Sequence, residues 1–204
     1  IATLSGEEFE TLIKKLLEQN YEVYFSLPES AEDSNVRCIT SIGAKHIQTY
    51  FSRRGKNVFD DLKLFKEYLK IIKTTKPDVV LTYTIKPNIY GTFAASIYKK
   101  PVIMNITGLG SAFASPRLMC LMSLLYKYAC RKAYFIFFQN KSNYSLFVSK
   151  KLVEPNKTKI IPGSGVNIEK FKPVEKQKKD GIVRFLFIGR IMKEKGIEKY
   201  LQAA

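Results

Sequence analysis

The sequence predicts an α/β fold, a parallel sheet with helices on both faces, followed by the first strand and helix of a second domain of the same kind. Three observations carry this. Short apolar runs such as DVVLTYT (78–84) and PVIMNIT (101–107) alternate with longer stretches of helical periodicity. Such alternation marks crossover units, which pair their strands in parallel and cover the sheet on both sides. Helix punctuation falls between the runs, with Lys76-Pro77 as a stop and Pro87 as a first-turn residue. Finally, the polar stretch KPVEKQKKDG (172–181) reads as a linker, after which IVRFLFIGR starts a fresh strand and KGIEKYLQAA a fresh helix.

The elements follow in order. EEFETLIKKLLEQ sets Phe9, Leu12, Ile13, Leu16 and Leu17 on one helical face, with Ser5 as a candidate cap. EVYFSL (22–27) and HIQTYF (46–51) read as strands, the second leading into the basic turn SRRG. A helix over 58–76 carries Leu62, Phe65, Leu69 and Ile72 at helical spacing. Strand 78–84, a helix from Pro87 to about Tyr98, strand 101–107 and a helix over 116–132 come next. Strand 134–140, a helix over 141–151 and TKIIPG (158–163) complete the first unit, with a short turn through Phe171. This divides the chain into a domain over 1–171, a linker over 172–181 and the start of a second domain over 182–204.

The chain has 204 residues, 46% hydrophobic and 25% charged, with no low-complexity tract. It has the composition of a soluble globular protein, and no apolar run reaches the ~18 residues a spanning helix needs. Cys38, Cys120 and Cys130 lack metal-ligand spacing and read as buried, reduced thiols, which suits a cytoplasmic setting. With 34 Lys plus Arg against 18 Asp plus Glu the net charge is +16. Between Arg117 and Lys159 nine bases face one acid, Glu154. Such a surface expects nucleic acid, an acidic membrane face or phosphorylated substrates. No nucleic-acid motif occurs, and the aromatics sit within predicted strands and helices rather than beside exposed Lys or Arg. A basic nucleic-acid-binding module therefore stands as an alternative.

In parallel sheets ligands sit at the carboxyl ends of the strands, so residues there are the candidates. Arg190 follows a strand and Lys195 starts a helix, which suits a diphosphate. On spacing alone they read more readily as two surface cations in a loop. NITGLGSAF (105–113) places Gly108, Leu109 and Gly110 past a strand end, where a glycine backbone can approach a ligand closely. It lacks the third glycine of a dinucleotide fingerprint, and GSGVNI lacks it likewise. Lys86 and Asn88 follow one strand end, and Arg53 and Arg54 another. His46 opens a strand and reads as structural, and with no Cys, His or carboxylate cluster no metal is expected.

Taken together, KPDVVLTYTIKPNIYG, NITGLGSAF, FFQN, IIPGSGVNIEKFKP and FLFIGRIMKEKGI resemble, in order and spacing, the family-4 retaining glycosyltransferases of the GT-B fold. The resemblance runs from about Glu7 and is nearest to the branch building capsular, O-antigen and lipid-linked oligosaccharides. That branch includes N-acetylgalactosaminyltransferases acting on undecaprenyl-diphosphate sugars.

It implies two Rossmann-like domains, the first holding the acceptor and the second the nucleotide-sugar donor. Arg190 and Lys195 match the basic pair on the donor diphosphate, where fixed positive charge stabilises the leaving group without a metal. Gly108 to Gly110 and Gly163, Ser164, Gly165 and Val166 match cleft-lining segments. Arg53 and Arg54 match a basic loop facing an acceptor's diphosphate, with Lys86 and Asn88 on the same side. The implied donor is a UDP-HexNAc or UDP-hexose and the acceptor a lipid-linked or polysaccharide glycan, with no cofactor, metal or nucleic acid. A nucleotide-sugar epimerase of the same fold is a second alternative. The family's distal acidic motif lies beyond Ala204, so the chain reads as a truncated piece, expected to be inactive alone. RLMCLMSLLYKYACRK (117–132), apolar with basic ends, reads either as a core helix or as a peripheral contact with the anionic inner face of the cell membrane.

Overall fold

The computed structural model describes residues 6–50, 58–109, 116–163, 165, 167–169, 171–173, 183–189, 191 and 193–203. The chain divides into two compact units, Ile1–Ile168 and Glu169–Ala204.

The first unit opens with helix α1 (Gly6–Glu18), strand β1 (Tyr24–Leu27), helix α2 (Ser34–Ser41) and strand β2 (Lys45–Gln48). β1 and β2 form a two-stranded parallel sheet, with Phe25 opposite His46. Phe9 and Ile13 of α1, Phe25 and Leu27 of β1, and Val36 and Ile39 of α2 close one core over it. α2 was not foreseen from the apolar pattern, because only Val36 and Ile39 of its eight residues are buried. Its signal is the cap: Asp33 Oδ1 accepts from the Asn35 N–H at 2.9 Å, as side-chain oxygens do at helix starts.

The second sheet is also parallel, in the order β3-β4-β5-β6. Its strands are β3 (Val80–Tyr83), β4 (Val102–Ile106), β5 (Phe135–Phe138) and β6 (Thr158–Ile160). Helix α3 (Val58–Thr75) leads into β3, and α4 (Thr92–Ile97), α5 (Pro116–Lys132) and α6 (Lys141–Ser149) connect the strands. β4 is one of the two interior strands, with Val102, Met104 and Ile106 of one face fully buried and Ile103 and Asn105 of the other partly covered. Against it lies the main core of Tyr126, Ala129 and Cys130 from α5, Ile136 and Phe138 from β5, and Phe147 from α6. The Tyr126–Phe147 and Phe138–Phe147 rings pack edge-on, with centroids 5.1 and 5.3 Å apart. A side cluster of Ile72, Ala94, Ala95 and Val102 seats α3 against α4. Among the described residues no strand joins β1 to β3. Phe9 reaches rings on both, Phe25 and Tyr83, with centroids at 6.4 and 6.2 Å.

Three expectations are corrected. Leu62 is half exposed, while Phe65, Leu69 and Ile72 of the same predicted stripe do pack with Ala94 and Ala95; Leu64, outside that stripe, is fully buried. Cys38 and Cys120 are exposed and only Cys130 is buried. The run at 182–190 forms no strand over the described residues 183–189. A strand gains its backbone bonds from a neighbour, and no described strand offers one. Helix α7 (Ile197–Ala203) of the second unit does form, with Tyr200 Oη donating to the Phe185 carbonyl at 3.0 Å and the Phe187 ring 5.4 Å from that of Tyr200.

Candidate functional site

The carboxyl ends of β3 and β4 lie side by side, with Tyr83 opposite Asn105. Just beyond β3, Thr84 has φ +65°. A left-handed conformation is a true outlier for a β-branched residue, and outliers of this kind cluster at functional positions. The chain then enters a π-helical turn, Pro87–Gly91, that runs on into α4. Single π turns of this type recur at functional sites. The Asn88 N–H donates to the Thr84 carbonyl at 3.0 Å, which closes the turn.

Lys86, at the start of this turn, is held by a residue that sequence reasoning passed over. Its Nζ lies 2.7 Å from Asp61 Oδ1, with side-chain exposures of 14% and 20%. The contact is an ion pair without good hydrogen-bond alignment. The other carboxylate oxygen accepts from Tyr90 Oη at 2.9 Å. Burial, and then the Asp61 carboxylate, raise the Tyr90 pKa, so its phenol stays a donor. Asp61 also sits in the first turn of α3, where a negative charge suits the helix dipole. The sequence signal was the Asp60-Asp61 pair at a helix start, but its partner could be known only from the fold.

Asn88 is fully buried and its Nδ2 donates to the Asn105 carbonyl at 3.0 Å, tying the turn to β4. It therefore acts from beneath the surface. Four buried oxygens here, Thr82 Oγ1, Asn88 Oδ1, Thr92 Oγ1 and Asn105 Oδ1, have no hydrogen-bond partner among the described residues. A dry unpaired group costs about 1–3 kcal/mol, so unused hydrogen-bonding capacity is concentrated under these strand ends. Burial raises the Tyr83 pKa as well, with an Asn105 hydrogen bond opposing it.

Beyond β4, a Cβ added at Gly108 would meet nothing within 4 Å among the described residues, while Leu109 packs against the main core. Two strands along the sheet, roughly 10 Å away at the usual strand spacing, β6 runs into Gly163 and Gly165. Both have left-handed φ, +75° and +81°, and open space on the Cβ side. The Gly163 N–H donates to the Ile161 carbonyl at 2.8 Å, a three-residue turn. Lys86, Asn88, Gly108, Leu109, Gly163 and Gly165 are thus all on strand-end segments of one sheet. Lys195 belongs to the second unit, where it ends a short 3₁₀ turn (Lys193–Lys195) and is exposed. Arg53, Arg54, Gly110, Ser164, Val166 and Arg190 lie outside the described residues.

His46 packs its ring on Phe25, centroids 5.0 Å apart, inside the first sheet. Among the described residues no group of three His, Cys, Asp or Glu side chains gathers as metal ligands do. None of their helices is long and apolar enough to cross a membrane. α5 presents two faces: Tyr126, Ala129 and Cys130 are buried, while Cys120, Leu121, Leu124 and Tyr128 are exposed, together with Arg131 and Lys132.

Residues 8–140 match the family described as glycosyl transferase 4-like. A curated relative is the N,N'-diacetylbacillosaminyl-diphospho-undecaprenol alpha-1,3-N-acetylgalactosaminyltransferase of Campylobacter jejuni, 29% identical over 95% of this chain and 55% of its own length. Another is the UDP-Gal:alpha-D-GlcNAc-diphosphoundecaprenol alpha-1,3-galactosyltransferase of Escherichia coli, 25% identical over 94% of this chain and 54% of its own. The chain spans about half the length of the curated relatives it matches. A solved glycosyltransferase from Rickettsia africae shares the fold, with a TM-score of 0.58 at 17% identity over 85% of this chain and 43% of that one. The chain belongs to the glycosyl transferase 4-like family.

Proposed function

We propose that this chain is the acceptor-side part of an enzyme that moves a sugar from a UDP-HexNAc or UDP-hexose to a lipid-linked or polysaccharide acceptor, with retention, in cell-surface glycan synthesis. The observation that carries the reading is the family match over residues 8–140, which takes in the ends of β3 and β4. The relatives' named substrates, sugars on diphosphoundecaprenol, support a lipid-linked acceptor. In this reading residues 1–171 form the acceptor domain, 172–181 the linker and 182–204 the start of the nucleotide-sugar domain.

The roles follow from chemistry at the strand ends. The open backbone at Gly108 and at Gly163 and Gly165 lets a sugar approach main-chain groups closely. Lys86, neutralised by Asp61, and Asn88, from below, shape the acceptor side rather than bind it as free groups. Arg53 and Arg54 would meet an acceptor diphosphate, and Arg190 and Lys195 the donor's. Charge held where the nucleotide diphosphate departs lowers the barrier without reorganisation. The test is UDP release by the full-length protein, given UDP-sugars and a diphosphate-linked glycan. Lys195→Ala and Arg190→Ala should each lower kcat by about 10²-fold; an unchanged kcat in both would remove them from the reaction.

The exposed face of α5, Cys120, Leu121, Leu124 and Tyr128 beside Arg131 and Lys132, is proposed to rest on the anionic inner leaflet. Co-sedimentation with phosphatidylglycerol vesicles should fall with Leu121→Glu and Leu124→Glu. Equal binding to neutral and anionic vesicles would refute the contact.

A further inference from the structure

The amino-terminal edge of the second sheet, opposite the candidate site, carries a row of cations that the reaction outlined above does not use. The strands begin side by side there: the Val80 N–H donates to the Pro101 carbonyl and the Tyr134 N–H to the Val102 carbonyl, each at 2.9 Å. The helix before each strand ends at the same edge, which brings Lys76, Lys99, Lys100, Arg131, Lys132 and Lys151 together. We propose that this edge docks an extended acidic segment, rich in Asp and Glu, of a partner protein.

Conformation is the first argument. α3, α4 and α6 each close on a lysine with left-handed φ: Lys76 at +46°, Lys99 at +54° and Lys151 at +51°. The Lys99 and Lys151 N–H groups donate to the Ser96 and Val148 carbonyls, at 3.1 and 2.9 Å. The following N–H groups, of Lys100 and Leu152, reach back to the Ala95 and Phe147 carbonyls, both at 2.9 Å. This helix ending normally takes Gly, which has no Cβ to clash in the left-handed region. A cation near a helix C-terminus suits the dipole, but it does so equally from the last turn, where the backbone is unstrained. Lysine at all three positions therefore keeps charge at this edge against the local conformational preference.

Electrostatics is the second argument. None of the six cations has an ion-pair partner among the described residues. Lys100 is half-buried and the other five are exposed. The acids in these segments are Asp78 and Glu154, and Glu154 already faces Lys157 at 3.6 Å. Tyr134, 71% exposed, stands in the same row, and tyrosine offers a protein partner both apolar area and a hydroxyl donor.

Shape and charge select the occupant. From β3 to β6 the row spans three strand spacings, about 14 Å, the length of roughly four extended residues. A lone phosphate would meet one end of it, whereas an extended acidic chain meets all of it. Lysines dominate the row, and they are point charges without the fork with which arginine grips phosphate. A second copy of this chain, at +16, would be repelled. A bilayer at this edge would lie at the far end of the sheet from the strand ends proposed to meet the acceptor; that exclusion alone rests on the transferase reading.

The test is a fluorescence-anisotropy titration of the full-length protein with a labelled decapeptide of alternating Glu and Asp. The peptide should bind at low salt and weaken as salt rises. Lys99→Gly combined with Lys151→Gly should weaken it about fivefold, as the loss of two exposed ion pairs implies. The same pair should not lower Tm, because glycine is at ease in both turns. Lys14→Gln with Lys63→Gln removes equal charge from exposed positions elsewhere and should leave the affinity unchanged. Equal weakening by the two pairs would reduce the binding to net charge and overturn the proposal. A fall in Tm with the glycine pair would do the same by making the lysines helix caps. Tighter binding of decathymidylate or of phosphatidylglycerol vesicles than of the peptide, with the same dependence on Lys99 and Lys151, would give the edge to nucleic acid or to a bilayer instead. None of these measurements involves sugar transfer, so a failed transferase assay and a failed docking edge remain distinguishable.

Discussion

Removing the Asp61 carboxylate should destabilise the first unit by an amount that can be worked from its partners. In Asp61→Ala the Lys86 ammonium loses its counter-charge at 2.7 Å and the Tyr90 hydroxyl its acceptor at 2.9 Å. Breaking a fully buried pair costs about 3–5 kcal/mol. Here the side chains keep 14% and 20% exposure, so part of the penalty is relieved by water and the expected loss is about 2–3 kcal/mol. At about 2–4 °C per kcal/mol for a chain of this size, Tm should fall by about 5–10 °C. Lys86→Met alone should cost less, about 1–2 kcal/mol, because Tyr90 still donates to Asp61. The double variant Asp61→Asn with Lys86→Met leaves no uncompensated charge and should be less damaging than the sum of its single changes, with a coupling of about 1–2 kcal/mol. The chain has no tryptophan, so urea unfolding is followed by far-UV circular dichroism. Single losses that simply add, or an Asp61→Ala variant within about 0.5 kcal/mol of the parent, would refute the reasoning.

Phe147→Ala, which empties the space between Tyr126 and Phe138, should cost about 3–5 kcal/mol in the same urea experiment. Asp33→Ala removes the acceptor for the Asn35 N–H and should cost about 1 kcal/mol, with Asp33→Asn recovering most of it. Burial pushes the Cys130 thiol up to about 12, so its thiolate is scarce at pH 8. Maleimide labelling read by mass spectrometry should therefore modify the exposed Cys38 and Cys120 in the native protein, and Cys130 only after denaturant is added.

What could be read from the sequence follows physical range. α1, α3 and α5 were legible because a helix half in and half out of a core writes its period into the sequence; the span 116–132 of α5 agrees at both ends. The strands β3, β4 and β5 were legible as apolar runs between breakers. α2 was missed because eight residues with two buried side chains write almost no period, leaving only the Asp33 cap. Leu62 was misplaced because it stands at the outer end of a stripe whose other members, Phe65, Leu69 and Ile72, do pack with α4, and periodicity alone does not say where along a helix the covered face begins. Gly163 and Gly165 were singled out through the family resemblance, and their left-handed φ became known only from the fold. Asp61 could not: its meaning comes from Lys86, 25 positions along the chain, and Tyr90, 29 positions along. Lys86 was legible as a strand-end cation, but not as one already paired.

The most direct measurement is the mass of the glycolipid formed when the full-length protein meets a UDP-sugar and a sugar-diphosphoprenol. The proposed transferase extends the acceptor by a single hexose or N-acetylhexosamine unit and releases UDP in equal amount. An acceptor that keeps its mass with every UDP-hexose and UDP-HexNAc offered, whether or not the donor itself is altered, would contradict it.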